Sequence, residues 1–278
     1  MFNLNAKKLL ASTTTLAVAL GAVAIAPQSA KAANIGGTWD NNKPYCTELD
    51  LGKPCTLQNL LDSVTVSGPG VDVDKDQTGY DWFSNTATGN ATGSFMFELG
   101  DYAPENVFGI YNSSGDMIEL FDGINDPGDS SYVTFLTGGK VSVVTQQFGP
   151  GANDPTPVWN IYEDFGNGFG FYVTNKTGQT FYTQNSRNEG GYQQAVVYQG
   201  DNETVMALPG KAAGTFTDNE FIIAFEDLWL GNNTDSDFND LVVMVESVEP
   251  VPEPATMAGL GLVGAAMLIR RRQNKKNS

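Results

Sequence analysis

Phe221-Ile222-Ile223-Ala224-Phe225-Glu226-Asp227 is followed, after a polar loop, by Asp235-Ser236-Asp237-Phe238-Asn239-Asp240-Leu241-Val242-Val243-Met244-Val245. Both apolar runs lack the alternation of a strand with one wet face, so each reads as a strand buried on both faces near the centre of a sheet. Paired as a hairpin, they release Glu226 and Asp227 from one strand where Asp240 enters the other. Asp235, Asp237 and Asn239 then occupy the connecting loop, and five carboxylates converge with one side-chain amide. No Lys or Arg lies between Glu226 and Asp240 to neutralise them. Like charges at a partly buried edge repel strongly unless protonated or countered, and a hard cation is the simplest counter-charge. Calcium accepts about six to eight oxygen ligands in flexible geometry, whereas magnesium demands a stricter octahedron and ranks second. An EF-hand does not fit. Asp235, Asp237 and Asn239 match its first alternating ligands and Glu246 its last, but Asp240 stands where glycine is required, and a strand follows. The alternative is a solvated acidic loop whose Asp and Asn side chains only shape turns.

Outward from this hairpin, short aromatic and β-branched runs recur between Gly, Asn, Asp, Ser and Pro clusters, at 95–99, 107–111, 117–121, 132–136 and 141–147. Further runs follow at 169–174, 179–182, 195–198 and 204–206. This punctuation predicts an all-β fold, an antiparallel, jelly-roll-like β-sandwich. Residues 57–61 are the one place that reads as a helical turn. The Gly- and Pro-rich stretch 149–157 divides a first β region, 33–150, from a second, 151–249, as two packed β units or as a long loop inside one sandwich.

Charge is uneven along the 278 residues: 32 acidic residues face 15 basic ones, and no acidic residue lies before Asn34 or after Pro254. A body this acidic is repelled by phosphate backbones and anionic lipid, which excludes nucleic acid as a partner. Solubility alone is the alternative account of the acidity as a whole. The chain has no His, which removes Ser-His-Asp and Cys-His nucleophile systems and imidazole zinc sites. Cys46 and Cys55 read as a disulfide-closed loop in an oxidising compartment, with two buried thiols as the alternative.

Both ends read as addresses. Lys7 and Lys8 precede an apolar run at 9–26, and Ala30-Lys31-Ala32 supplies the small residues a signal peptidase reads, so 1–32 is a secretory signal peptide. At the other end Pro252-Glu253-Pro254 leads into a 15-residue apolar stretch, 255–269, stopped by Arg270, Arg271 and Arg272. That stretch is shorter than the about 20 residues of a stable span, and its basic end holds the C-terminus on the cytoplasmic side. The tail, 250–278, resembles the PEP-CTERM sorting signal, in which such a motif, short transmembrane segment and Arg-rich end are recognised by an exosortase. The resemblance implies cutting near Pro252-Glu253-Pro254, transient anchoring in the inner membrane, and delivery to the cell surface or extracellular matrix of a Gram-negative or cyanobacterial cell.

Glu226-Asp227 and Asp237-Phe238-Asn239-Asp240, with Phe169-Gly170-Phe171-Tyr172 and the polar turn at 182–188, resemble the DUF4114 family of secreted bacterial β-domains over about 166–248. The resemblance implies a surface-associated, calcium-dependent module with no assigned activity. Relatives often carry His where this chain has Gln193 and Gln194. Asp72-Val73-Asp74-Lys75-Asp76 begins like a calcium loop, but Gln77 and Phe83 replace the required Gly and Glu, and it reads as an acidic turn. Asp122, Asp126 and Asp129 read first as turn formers, with a second ion site as the alternative.

Three functions compete. The first is a non-enzymatic, Ca2+-stabilised structural or interaction module of the cell surface or polysaccharide matrix. The second is a calcium-dependent carbohydrate-binding module using aromatics such as Trp39, Trp82, Trp159, Trp229 and Tyr192. The third is a glycoside hydrolase with two carboxylates, for instance Glu163 and Glu226. The first is preferred, because no carboxylate pair sits in surroundings that separate two pKa values.

Overall fold

The computed structural model describes residues 56–86, 90–98, 106–121, 130–146, 158–208, 211–230 and 236–251, with backbone alone for 90–98, 130, 146 and 158. The signal region 1–32, Trp39, Cys46, Cys55, Asp122, Asp126, Asp129, Asp235, Pro252, Glu253, Pro254, the apolar run 255–269, Arg270, Arg271 and Arg272 lie outside the described residues. Among the described residues, no helix is long and apolar enough to cross a membrane.

Helix α1 (Leu57–Val64) begins where the Thr56 side chain accepts the Asn59 amide, an N-cap that satisfies an otherwise orphaned donor. Leu57, Leu60, Leu61 and Val64 follow helical spacing, and all four are buried. This extends the helical turn expected at 57–61 by one turn.

Then come β1 (Thr65–Ser67), β2 (Gln77–Thr78), β3 (Phe83–Asn85), β4 (Asn90–Glu98), β5 (Val107–Tyr111), β6 (Met117–Phe121), β7 (Ser130–Phe135), β8 (Val141–Gln146) and β9 (Val158–Tyr162). The chain continues through β10 (Gly168–Thr174), β11 (Thr180–Tyr182), β12 (Ala195–Gln199), β13 (Val205–Met206), β14 (Gly214–Thr215), β15 (Glu220–Phe225), β16 (Leu241–Glu246) and β17 (Val248–Pro250).

Among the described residues all strand pairings are antiparallel. An eight-stranded sheet runs β2-β12-β15-β16-β4-β7-β8-β9, and a six-stranded sheet runs β17-β3-β10-β5-β6 with β11 also on β10. The two face each other across a phenylalanine-rich core: Phe108 meets Phe225 at 6.2 Å, Phe83 meets Phe221 at 5.3 Å, and Phe135 stacks on Phe169 at 5.1 Å. A β-sandwich is therefore the architecture. The two regions expected on either side of residue 150 share its sheets, since β4 pairs with β16 and β5 with β10.

A second core covers the outer face of the larger sheet. There α1, Val71 and Val73 join Val196, Tyr198, Ile222, Ala224, Val242 and Met244. β15 and β16 thus bury alternate side chains on opposite faces, the physical reason their sequences are apolar without alternation.

On the outer face of the smaller sheet, β5 and β10 exchange glycine for tyrosine. The register sets Gly109 opposite Tyr172 and Gly170 opposite Tyr111. A Cβ on Gly109 would lie 2.6 Å from the Tyr172 ring, and one on Gly170 would lie 2.5 Å from the Tyr111 ring. Each ring lies over the glycine across from it, which leaves no space for any side chain there.

Candidate functional site

The β15-β16 ladder ends at the pair Phe225↔Leu241, so the next residue of one strand faces the residue that precedes the other: Glu226 and Asp240. The structure places both in the interior, with Glu226 0% and Asp240 4% exposed. Asp227 and Asn239 are buried beside them, and Asp237 is half-buried.

The mouth is closed by reciprocal bonds. The Asp227 amide donates to Asp240 Oδ2 at 2.9 Å, and the Phe238 amide donates to Glu226 Oε2 at 3.4 Å. Each carboxylate therefore accepts from the backbone of the opposite limb. Ser236 and Phe238 adopt φ of 56° and 52°, left-handed values uncommon for such residues. That winding sends the Phe238 ring into the outer core, where it is 1% exposed, and leaves Asp237, Asn239 and Asp240 at the mouth. Asn239 Nδ2 donates to Asp237 Oδ2 at 2.9 Å.

Three side chains that the sequence reading did not single out, or left without a role, fix this cluster. Asn106, just before β5, donates from Nδ2 to Asp227 Oδ2 at 2.9 Å. Asn175, just after β10, donates to the Asp227 carbonyl at 2.8 Å, while its own Oδ1 accepts from the amides of Thr177 and Gln179. Gln194 is fully buried; its Nε2 donates to the Leu228 carbonyl at 2.8 Å, and its Oε1 accepts the Leu230 amide at 3.0 Å. Gln194 thus splints the segment after β15.

The electrostatics are one-sided. Burial pushes the Asp240 carboxyl well above the usual carboxylate range, and the charges of Glu226 and Asp227 add to it, with a smaller push from Asp237; the Asp227 amide acts in the opposite direction. Asn106 Oδ1 is buried and accepts no hydrogen bond among the described residues. Every oxygen at the mouth is hard, either carboxylate or amide. Among the described residues, no group of three or more carboxylates stands ready-spaced to hold a metal ion.

The other candidates are dispersed. The 72–76 segment is a turn with Val73 buried and Asp74, Lys75 and Asp76 exposed, in which Asp72 accepts the Asp74 and Lys75 amides and pairs with the Lys75 ammonium. Glu163 is an exposed partner of Lys140 at 2.7 Å, while Glu226 is sealed inside. Trp82 is buried at 3% exposure, Trp159 is 68% exposed, and Tyr192 is half exposed and edge-on to Trp229 at 6.0 Å.

Comparison with known families gives two matches. Residues 164–248 match DUF4114, a domain of unknown function, and residues 250–272 match the PEP-CTERM protein-sorting motif. The buried carboxylates at the hairpin mouth all belong to the first match. The second makes the protein an exported one, sorted to the cell surface through exosortase processing. No curated protein and no solved structure matches the chain.

Proposed function

We propose that this is a calcium-stabilised, non-catalytic structural or interaction module of the cell surface or extracellular matrix. The observation that carries the reading is Asp240, buried among Glu226, Asp227 and Asp237, with the unpartnered Asn106 Oδ1 beside them. A cation among these oxygens removes the repulsion without any proton. Glu226, Asp227, Asp237 and Asp240 would supply carboxylate ligands, Asn106 and Asn239 amide oxygens, and Asp235 a further carboxylate from the loop. This donor set suits calcium.

The role is to lock two central strands at their open end, so ion binding and folding are linked. An ion present at about 100 times its Kd adds about 2.7 kcal/mol to stability. Thermal unfolding of the purified protein in excess EDTA, then in calcium or magnesium at fixed ionic strength, tests this. A calcium-selective rise in Tm is expected; indistinguishable melts with no calorimetric calcium binding would remove the metal from the account.

The exposed Trp159 ring favours a second reading, in which the same module binds extracellular polysaccharide by stacking. Retardation of the protein in polysaccharide-containing gels, abolished in Trp159→Ala, is the result expected of it. Unchanged mobility across neutral and acidic polysaccharides would dismiss it.

A further inference from the structure

The sorting match begins at residue 250, yet the folded body extends to residue 251. Strand β17 is an edge of the six-stranded sheet, with Val248 opposite Asn85, Glu249 opposite Ser84 and Pro250 opposite Phe83. The Val251 amide donates to the Trp82 carbonyl at 2.9 Å, and the Thr86 amide donates to the Ser247 carbonyl at 2.9 Å. Ser84 Oγ donates to Glu249 Oε1 at 3.2 Å. Val248 is 2% exposed in the central core, and Val251 packs on Trp82, Tyr111 and Tyr172. Ser247, at a left-handed φ of 61°, carries the chain from β16 in one sheet to β17 in the other. The last strand therefore staples the sandwich together, and the Pro-Glu-Pro motif starts two residues after it, immediately beyond Val251.

We infer that the fold sets the upstream limit of sorting: the exosortase receives its motif from the edge of a folded body with no spacer, and parts the chain only C-terminal to Val251. The inference rests on the reading of the tail as an exosortase substrate. An enzyme that cuts a peptide bond needs the flanking backbone free of its partners, and ladder-paired, core-anchored backbone is freed only by local unfolding. Through Val251 that backbone is held. In the cut itself a peptide bond breaks, its acyl carbon stays on the body and passes to water or to an amine acceptor, and the new amino group leaves with the tail. The released body keeps β17, and its edge β3 stays covered.

The test maps the C-terminus of the sorted body, recovered from outside a host that makes the exosortase, by intact mass and terminal-peptide spectrometry. A terminus at Val251 or later is expected, and one upstream of Val251 overturns the inference. A body that retains its whole tail overturns the reading of the tail as a substrate. Proteinase K digestion of the purified full chain separates the two failures: trimming that halts at or beyond residue 251 shows the limit belongs to the fold, whereas loss of β17 with β16 left intact overturns it.

Discussion

Asp240 closes its own hairpin: its carboxylate accepts the backbone amide of Asp227 at 2.9 Å, just beyond the last pair of the β15-β16 ladder. The same carboxylate is raised well above the usual range by burial and by its acidic neighbours. One side chain is thus both a structural acceptor and a source of repulsion, and substitution separates the two roles.

Asp240→Ala leaves a buried amide without its acceptor and is expected to cost about 1–3 kcal/mol. Asp240→Asn keeps an acceptor and deletes the charge. In EDTA the Asn variant is expected to melt at or above the wild type and the Ala variant below it, while only the wild type gains fully from calcium. An Asn variant that loses as much as Ala in EDTA would show that repulsion is not significant here.

Asn106→Asp replaces a donor to Asp227 by a further buried carboxylate. Stability in EDTA is expected to fall by about 2–3 kcal/mol, the cost of losing a charge-assisted bond. Calcium should recover more stability for this variant than it gives the wild type. An equal loss with and without calcium would remove Asn106 from the ion site.

Glu246 lies at the opposite end of the same hairpin, directly across from Glu220. Its carboxyl is raised by partial burial and by Glu220, against the pull of Lys211. A carboxyl raised in the fold binds its proton more tightly there than in the unfolded chain. Its penalty is therefore present at neutral pH and disappears as pH falls through the raised value toward the ordinary 4.5. Glu246→Gln should raise the unfolding free energy at pH 7, by less than about 1 kcal/mol because the group is partly solvated, and should leave it unchanged near pH 4. A gain that does not vary with pH would point to packing instead.

Gly170→Ala drives a methyl group into the Tyr111 ring and is expected to destabilise by about 1–3 kcal/mol. Gly109→Ala meets the Ile118 backbone carbonyl as well as Tyr172 and should cost at least as much. Gly79→Ala, where an added Cβ meets nothing within 4 Å, is the control and should change stability little in a denaturant titration.

The central strands were legible because burial on both faces leaves a direct mark in composition, and β5, β10, β15 and β16 lie where the apolar runs are. β2, β3, β14 and β17 are two or three residues long, too short to show a period, and exist because a partner strand holds them. The carboxylates at the hairpin mouth were legible because one register brings Glu226 and Asp240 together. Asn106 was not: it lies 121 positions from Asp227, and an isolated Asn before a strand looks like any other turn former.

The pairing of β4 with β16 also governs timing. Synthesis proceeds from the N-terminus, and β4 has no neighbour on that side until almost the whole body exists. β15 likewise waits for β16, so no early fragment can close either the large sheet or the core beneath it. Contacts this remote in sequence make folding slow. The β4-β7-β8-β9 ladder can pair early, but its junction with β15 waits for β16, so the strands that complete the sandwich are the last to be made, and the sorting address follows them in the chain.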